Sequence, residues 1–367
     1  MALSCTVLAG RQWWAAIASR WDERGEKMND NPDSAVVEML VELACRAPSV
    51  HNSQPWRWVH SEHGLDLFTD RSRLLGAIDP TERQMVLSCG AALDHLCTAA
   101  AAFRWTADVE PMPTAGAPDH LARIRLTHDA HPRSHEFDLL SAINRRHSDR
   151  RAFGPVPDNR IPARYLGRGD GTDQVRATFL SAESKQTLAT ASRLSASVRK
   201  YDATYQAEIR WWAGHSFRSG GIPPEALTDR AEASRVQVGR EFPEPHRIGG
   251  TQTREPVNDE STVVILGTAS DERLDWLQCG RAMSAFLLAA TADGLATCPL
   301  THMTEQSGSR RLVESLAPGR GVPQVLIRIG APMTGSPLAP TPRRAVSSVL
   351  SVASRSTARG SRRTTPL

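Results

Sequence analysis

Two long alanine-rich segments, about Thr81 to Phe103 and about Asp275 to Gly294, constrain this 367-residue chain more than any other feature. Each is predicted to be a helix that packs closely on all sides and is largely buried. The two also align with each other. On an offset of 190 residues, Cys89-Gly90 meets Cys279-Gly280, Ala92 meets Ala282, Leu93 meets Met283, Leu96 meets Phe286, and Ala99-Ala100 meet Ala289-Ala290. Each helix leads towards a short strand, Arg123-Ile124-Arg125-Leu126 in one case and Leu326-Ile327-Arg328-Ile329 in the other. An internal repeat explains why helix, loop and strand recur in order. Chance alignment of two alanine-rich helices is the other reading.

Other elements fall around these helices. A helical stripe runs from about Pro32 to Arg46 and ends at Pro48. A hairpin follows, Trp56 to Val59 and Leu65 to Thr69, turning through His63-Gly64. A strand is expected at Ala122 to Leu126. A second cycle starts near His135 with a helix from Phe137 to Arg146, then a helix from Lys185 to Leu194 and beyond. The stretch from Tyr201 to Pro256 is polar and rich in Gly, Pro and Arg, and it carries Trp211 and Trp212. Strands are expected at Thr262 to Gly267 and Val325 to Ile329.

The charge is concentrated at one end. The chain has 44 basic and 40 acidic residues, and the segment from Ser351 to Leu367 holds Arg355, Arg359, Arg362 and Arg363 with no acid. The body is therefore neutral overall, which argues against a nucleic-acid-binding face. Residues 1–30 read as a disordered N-terminal extension, with Met28 an alternative start, and residues 351–367 as a disordered basic tail. No run is expected to span a membrane. The six cysteines form no Cys-x-x-Cys pair and no metal-ligand spacing, and several fall on apolar faces, so a reduced, cytoplasmic compartment is expected.

Two polar segments carry chemistry. Ala47 to Trp56 offers Pro48 to end a helix, and Ser49, Asn52 and Gln54 as short hydrogen-bonding groups. An ordinary helix stop with an Asx-type turn is the competing reading. The run Arg145, Arg146, His147, Ser148, Arg150, Arg151 offers forked donors and a hydroxyl suited to a phosphate, and equally a solvated basic helix end.

Taken together, the Ala-Pro-Ser-x-x-Asn-x-Gln-Pro-Trp segment, the Arg-x-Ser-x-Arg run and Gly294-Leu295-Ala296-Thr297-Cys298-Pro299-Leu300 resemble the nitroreductase family. The resemblance is to its fused, two-half, Acg-type FMN-binding branch, to which Arg210 to His215 and Thr341-Pro342-Arg343-Arg344 are also similar. It implies an α+β nitroreductase-like fold, with residues 31–134 and 135–350 as two diverged halves forming an intramolecular pseudo-dimer. It further implies a lid at about 201–256. The resemblance places FMN against Pro48, Ser49, His51, Asn52, Ser53 and Gln54, with Arg145, Arg146, Ser148 and Arg150 at the phosphate. Pro299, Leu300 and Thr301 contact the ring, and Arg343 and Arg344 reach the phosphate. His302 is expected to approach the ring.

Each half keeps only part of this pattern, so one FMN per chain is expected, and a monomer is plausible because the dimer is internal. The implied activity is hydride transfer from NAD(P)H to FMN and on to a nitroaromatic or quinone-like acceptor, with no catalytic side chain and no metal. The rival readings are a protein that sequesters FMN under its lid with little turnover, and a flavin-free interaction protein.

Overall fold

In the computed structural model, residues 32–129, 134–157, 174–214, 219–242, 258–333, 338 and 340–353 are described. The N-terminal extension with Met28, His215, residues 243–257 of the insertion and the tail from 354 lie outside them.

Helix α1, Ser34–Ala44, starts where the Asp33 carboxylate accepts a hydrogen bond from the Val36 amide at 2.8 Å. It buries Val36, Val37, Leu40, Val41 and Ala44. Strands β1 (Trp56–Ser61) and β2 (Gly64–Thr69) form the expected hairpin, with Ser61 opposite Gly64 and Trp56 and Trp58 fully buried. Helix α2, Arg83–Ala102, begins beneath Asp79, whose carboxylate accepts from the Gln84 and Met85 amides at 3.0 and 2.8 Å. Strands β3 (Trp105–Pro111) and β4 (His120–His128) complete the first sheet, in the order β10-β1-β2-β4-β3. Its far edge, β10, is Leu350–Val352 from the end of the chain, paired parallel to β1. Ser351 and Val352 thus sit in a strand where a disordered tail is expected to begin.

The second sheet is antiparallel. It contains β5 (Phe153–Gly154), β6 (Arg176–Phe179), β7 (Thr262–Thr268), β8 (Ala296–Leu300) and β9 (Val322–Pro332), in the order β5-β9-β7-β6 with β8 also paired to β9. Around it lie α3 (Ser134–Arg145), α4 (Lys185–Arg199), α5 (Ala203–Trp212), α6 (Arg230–Ser234), α7 (Arg273–Ala292) and α8 (Ser307–Ser315).

The segment after α7 is strand β8, an element that the local pattern does not announce. Gly294, at φ +77°, stops the helix: its amide bonds to Thr291 O at 3.0 Å and that of Leu295 to Ala290 O at 2.9 Å, a Schellman pattern. The chain then enters the sheet directly. Pro299 is tolerated there because β8 pairs on one side with β9 and needs no further donor on the other.

Helices α2 and α7 cross at the paired glycines. A Cβ placed on Gly90 would lie 2.2 Å from Leu277 O, and one on Gly280 would lie 2.1 Å from Leu87 O. Beyond the crossing, His95 Nδ1 and Ser284 Oγ lie 2.8 Å apart. One apolar core runs from α1 and the first sheet, through both helices, to β7 and β9. By length and composition helix α2 could cross a membrane, but 89% of its apolar window is buried inside the protein. Burial pushes the Cys45 thiol up to about 11 and that of Cys279 to about 12, as suits cysteines acting as core hydrophobes.

Gly90→Ala and Gly280→Ala are each expected to force the helices apart, because the obstructing atom is backbone. The loss should reach about 1–3 kcal/mol or more, read as a lower urea midpoint, whereas Gly116→Ala, remote from any close contact though at φ +78°, should cost less.

Candidate functional site

A cavity of about 1080 Å³ opens between the first turn of α2, the end of α3, β8 and the insertion. The loop after α1 contributes Pro48, Ser49, His51 and Asn52 to its walls. The end of α3 and the residues beyond it contribute Arg145, Arg146, Ser148 and Arg150. Pro299, Leu300 and Thr301 come from the end of β8, and Arg343 from the C-terminal segment. Segments remote in sequence, Arg46 to Ser88 on one side and Ile143 to Arg343 on the other, thus share one cavity.

Besides His302, three anticipated residues are not on its walls. Ser53 and Gln54 are fully buried behind the loop. Gln54 accepts from the Arg344 amide at 2.9 Å and donates to Ser219 O at 3.0 Å. Arg344 turns away to Gln54 O and to the Asp70 carboxylate, at 3.0 and 3.1 Å. These groups brace the loop, which is held in an uncommon conformation: His51, Asn52 and Gln54 have φ of +46°, +55° and +52°. Asn52 joins three segments, donating to Gly221 O (2.9 Å) and Pro342 O (3.0 Å) and accepting from Arg343 (3.1 Å). Ser88 Oγ accepts from the Val50 amide at 3.1 Å and so ties the loop to α2.

The structure divides the arginine run into two environments. Arg146 is buried, and its Nε and one terminal nitrogen have no partner. Its remaining bond is to Arg46 O at 3.4 Å. Burial, with the Arg343 and Arg46 cations nearby, pulls Arg146 down to about 9. Burial and Arg46 pull Arg343 down to about 10, and its Nε is also unpartnered. Among the described residues none of these three arginines forms an ion pair. Buried cations without a counter-charge are costly, so this corner is built for an anion. Arg150 lies in another setting. It donates to Ala226 O at 3.2 Å and stands 5.1 Å from the centre of the Phe242 ring, with Arg240 as the neighbouring cation. Arg151 folds back onto Asp149, at 2.7 Å, and does not line the cavity.

The insertion forms the remaining wall and is pinned at several points. Glu208 on α5 accepts from the Ala77 and Ile78 amides at 3.0 and 2.8 Å. Ser192 donates to Gly239 O at 2.9 Å. Arg240 makes a buried ion pair with Glu305 and donates to the Tyr205 hydroxyl at 2.9 Å. Trp212 packs near Leu75 and Ile78 under Arg73, while Trp211 is 59% exposed. Phe242 meets the His51 ring edge-on, with centroids 5.6 Å apart. Burial, with Arg240 and Arg150 nearby, holds His51 neutral. His302 is one layer back from the cavity, its Nε2 2.9 Å from Ser192 Oγ.

The sequence reading missed Arg46, Gln84, Ser88, Arg240 and Phe242 as wall residues. Gln84 and Ser88 had a usable signal, a polar pair at spacing four on an otherwise apolar helix. Arg240 and Phe242 had none, since their roles depend on how the insertion folds back.

Replacing Arg240 with methionine strands Glu305 as a buried carboxylate. A loss of about 3–5 kcal/mol is expected. Adding Glu305→Leu should restore part of it, which a double-mutant cycle of melting curves will show.

Residues 225–331 match the family model described as Nitroreductase family. Over 86% of this chain and 96% of the other, the sequence is 42% identical to the Mycobacterium tuberculosis protein named "Putative NAD(P)H nitroreductase acg". An uncharacterized protein from the same organism is 41% identical over 86% of this chain and 93% of its own length. Another M. tuberculosis protein bearing the NAD(P)H nitroreductase name is 36% identical over 87% of this chain and 92% of its own. Among solved structures, a Bacteroides fragilis nitroreductase with bound FMN covers 56% of this chain and 95% of its own at 17% identity, with a TM-score of 0.36. Identity at this level along almost the full length of such relatives establishes that the chain belongs to the nitroreductase family.

Proposed function

We propose that the chain is an FMN-dependent oxidoreductase that takes hydride from NAD(P)H and delivers electrons to a nitroaromatic or quinone-like acceptor. The observation that carries this reading is the corner of Arg46, Arg146 and Arg343, where Arg146 and Arg343 keep unpartnered guanidinium nitrogens and no carboxylate among the described residues neutralises them. The donor set fits a phosphate dianion, which takes forked hydrogen bonds from arginine. FMN, when bound, would supply hydride and electron transfer, with negative charge collecting on the ring as it is reduced.

The chain's own residues serve that chemistry in distinct ways. Arg146 and Arg343 would hold the phosphate, with Arg46 adding charge. Pro48, Leu87, Met283 and Leu300 provide apolar wall. Ser49 and Asn52 provide short polar groups that leave the space open. Arg150, apart from the phosphate arginines, would offer a positive charge to the ring as it gains negative charge on reduction. No side chain is assigned as a proton donor, because water can serve. The two contributing sets of residues meet at one cavity, which supports one FMN per chain, and the internal α2–α7 pairing supports a monomer.

A second reading has its own support. The insertion is pinned across the cavity by Arg240–Glu305, Asn52–Gly221 and Gln54–Ser219, as a protein that keeps FMN covered would require.

The absorbance spectrum of the purified protein, followed by anaerobic NADPH, separates the two. Flavin near one equivalent that bleaches within seconds, and turnover with menadione near one per second or faster, would establish the reductase. Flavin that persists would favour sequestration. Absence of flavin after incubation with FMN would end both readings, and two equivalents would end the single-site arrangement. Arg343→Ala should weaken FMN binding roughly tenfold to hundredfold, as loss of a charged hydrogen bond implies.

A further inference from the structure

At the turn from β3 into β4, three side chains that do not line the cavity are joined by hydrogen bonds. Thr114 Oγ1 lies 3.0 Å from His120 Nδ1, and His120 Nε2 lies 2.9 Å from Asp66 Oδ1. The three come from the turn, the first residue of β4 and the middle of β2. Asp66 and His120 are buried, while Thr114 is exposed. A hydroxyl thus stands at the surface, with an imidazole behind it and a carboxylate behind the imidazole.

The direction of each bond follows from a fourth residue. Arg123 Nε, which can only donate, gives its hydrogen to the same Asp66 Oδ1 at 2.9 Å. That oxygen is an acceptor, so His120 carries its hydrogen on Nε2. In the neutral ring Nδ1 is then a lone pair, and the Thr114 hydroxyl donates to it. The ring is also held in place by stacking on Phe68, with centroids 4.4 Å apart and planes 21° from parallel. Phe68 in turn packs under Arg57 at 4.5 Å.

The turn does not need the hydroxyl–imidazole bond to keep its shape. The Met112, Ala117 and His120 amides already close it, donating to the Leu121, Thr114 and Ala117 carbonyls at 2.9, 3.2 and 3.0 Å. Next to the hydroxyl the chain is open. Ala115 and Gly116 are exposed, and their amides donate to no other group among the described residues. A Cβ on Gly116 would meet nothing within 4 Å. A hydroxyl within hydrogen-bond reach of a base that a third group orients is the arrangement of an activated nucleophile, whatever the order of the residues in the chain.

We propose that Thr114, His120 and Asp66 form a second reactive site, independent of the flavin, at which Thr114 is acylated by short-chain activated acyl donors, esters or thioesters. Thr114 Oγ1 attacks the acyl carbon while its proton passes to His120 Nδ1. The bond from that carbon to the leaving oxygen or sulfur breaks, and the leaving group departs with the proton from His120. An ester on Thr114 results. Water then attacks the ester, giving a proton to His120, and the acyl group leaves as a carboxylic acid as Thr114 regains its hydrogen from the imidazole. Nothing is oxidised or reduced. Asp66 orients the ring and balances the charge it gains, and the amides of Ala115 and Gly116 are the donors at hand for the oxyanion. Open surroundings, rather than a groove, suit a short acyl group.

The probe is p-nitrophenyl acetate, added to the full-length protein as purified and followed by release of nitrophenolate and by mass mapping of peptides. Release above the buffer rate is expected, with one acetyl group on the peptide that holds Thr114. Thr114→Val keeps the shape without the hydroxyl and should abolish the label, whereas Thr114→Ser should retain it. Thr114 is exposed, so the valine variant should fold, and its melting curve and flavin content should match the parent's. His120→Gln should lower the release roughly hundredfold. Acetyl groups found only on lysines or the N-terminus overturn the proposal, as does release that is unchanged in Thr114→Val or in His120→Gln. The mapping in the parent and the valine variant decides the matter even where His120→Gln does not fold.

Discussion

Gly90 and Gly280 allow α2 and α7 to touch backbone to backbone, and the rest of the molecule is arranged around that contact. With hydrogen in place of Cβ, the carbonyls of Leu277 and Leu87 can sit where any larger residue would place a methyl group. The helices are then close enough for one continuous core to include both sheets. This proximity also brings the first turn of α2, with Gln84 and Ser88, against the end of β8, with Thr301. The two sides of the cavity are set by that approach.

Around this rigid centre, the cavity accumulates cost. Three constraints lie in the Val50 to Gln54 loop, where His51, Asn52 and Gln54 occupy left-handed conformations. Among the described residues, Arg146 and Arg343 lack counter-charges, and both ring nitrogens of His51 lack partners. Such features destabilise a fold that gains nothing from them. Their concentration on one cavity wall is the physical signature of a ligand that would satisfy them, and it accords with membership of a family whose M. tuberculosis members carry the NAD(P)H nitroreductase name. The insertion balances part of this cost. Arg240 meets Glu305, and Asn52 and Gln54 hydrogen-bond to its backbone, so closure of the wall and stability of the loop are coupled.

Much of the secondary structure could be read from local pattern. Helices α1, α2, α3 and α7, the first hairpin and the cores of β4, β7 and β9 follow from periodicity and from Gly and Pro signals. Strand β8 did not, because Pro299 argues against a strand unless the edge it occupies is known. Nor did β3, where Trp105 alone is buried and the remaining residues are exposed or half-buried. Helix α8 is short and lies in a polar stretch. The C-terminal Leu350–Val352 pairs with β1 across nearly the whole length of the chain, a contact that no local window contains.

For the site, the sequence by itself determined the chemistry available: a loop of short polar residues, an arginine run, a Pro-Leu-Thr segment and a basic pair, each with the residue types that an anionic flat ligand needs. These are local properties, set by side-chain type and spacing. Only the tertiary structure decided how they are shared out. It turned Arg343 towards the cavity and Arg344 towards Asp70, separated Arg150 from Arg146, moved Ser53 and Gln54 behind the wall, and brought in Arg46, Arg240 and Phe242. The reason is that orientation and desolvation arise from long-range packing. Whether a guanidinium faces a carboxylate, a ring or an empty space depends on which remote segment the α2–α7 contact brings beside it.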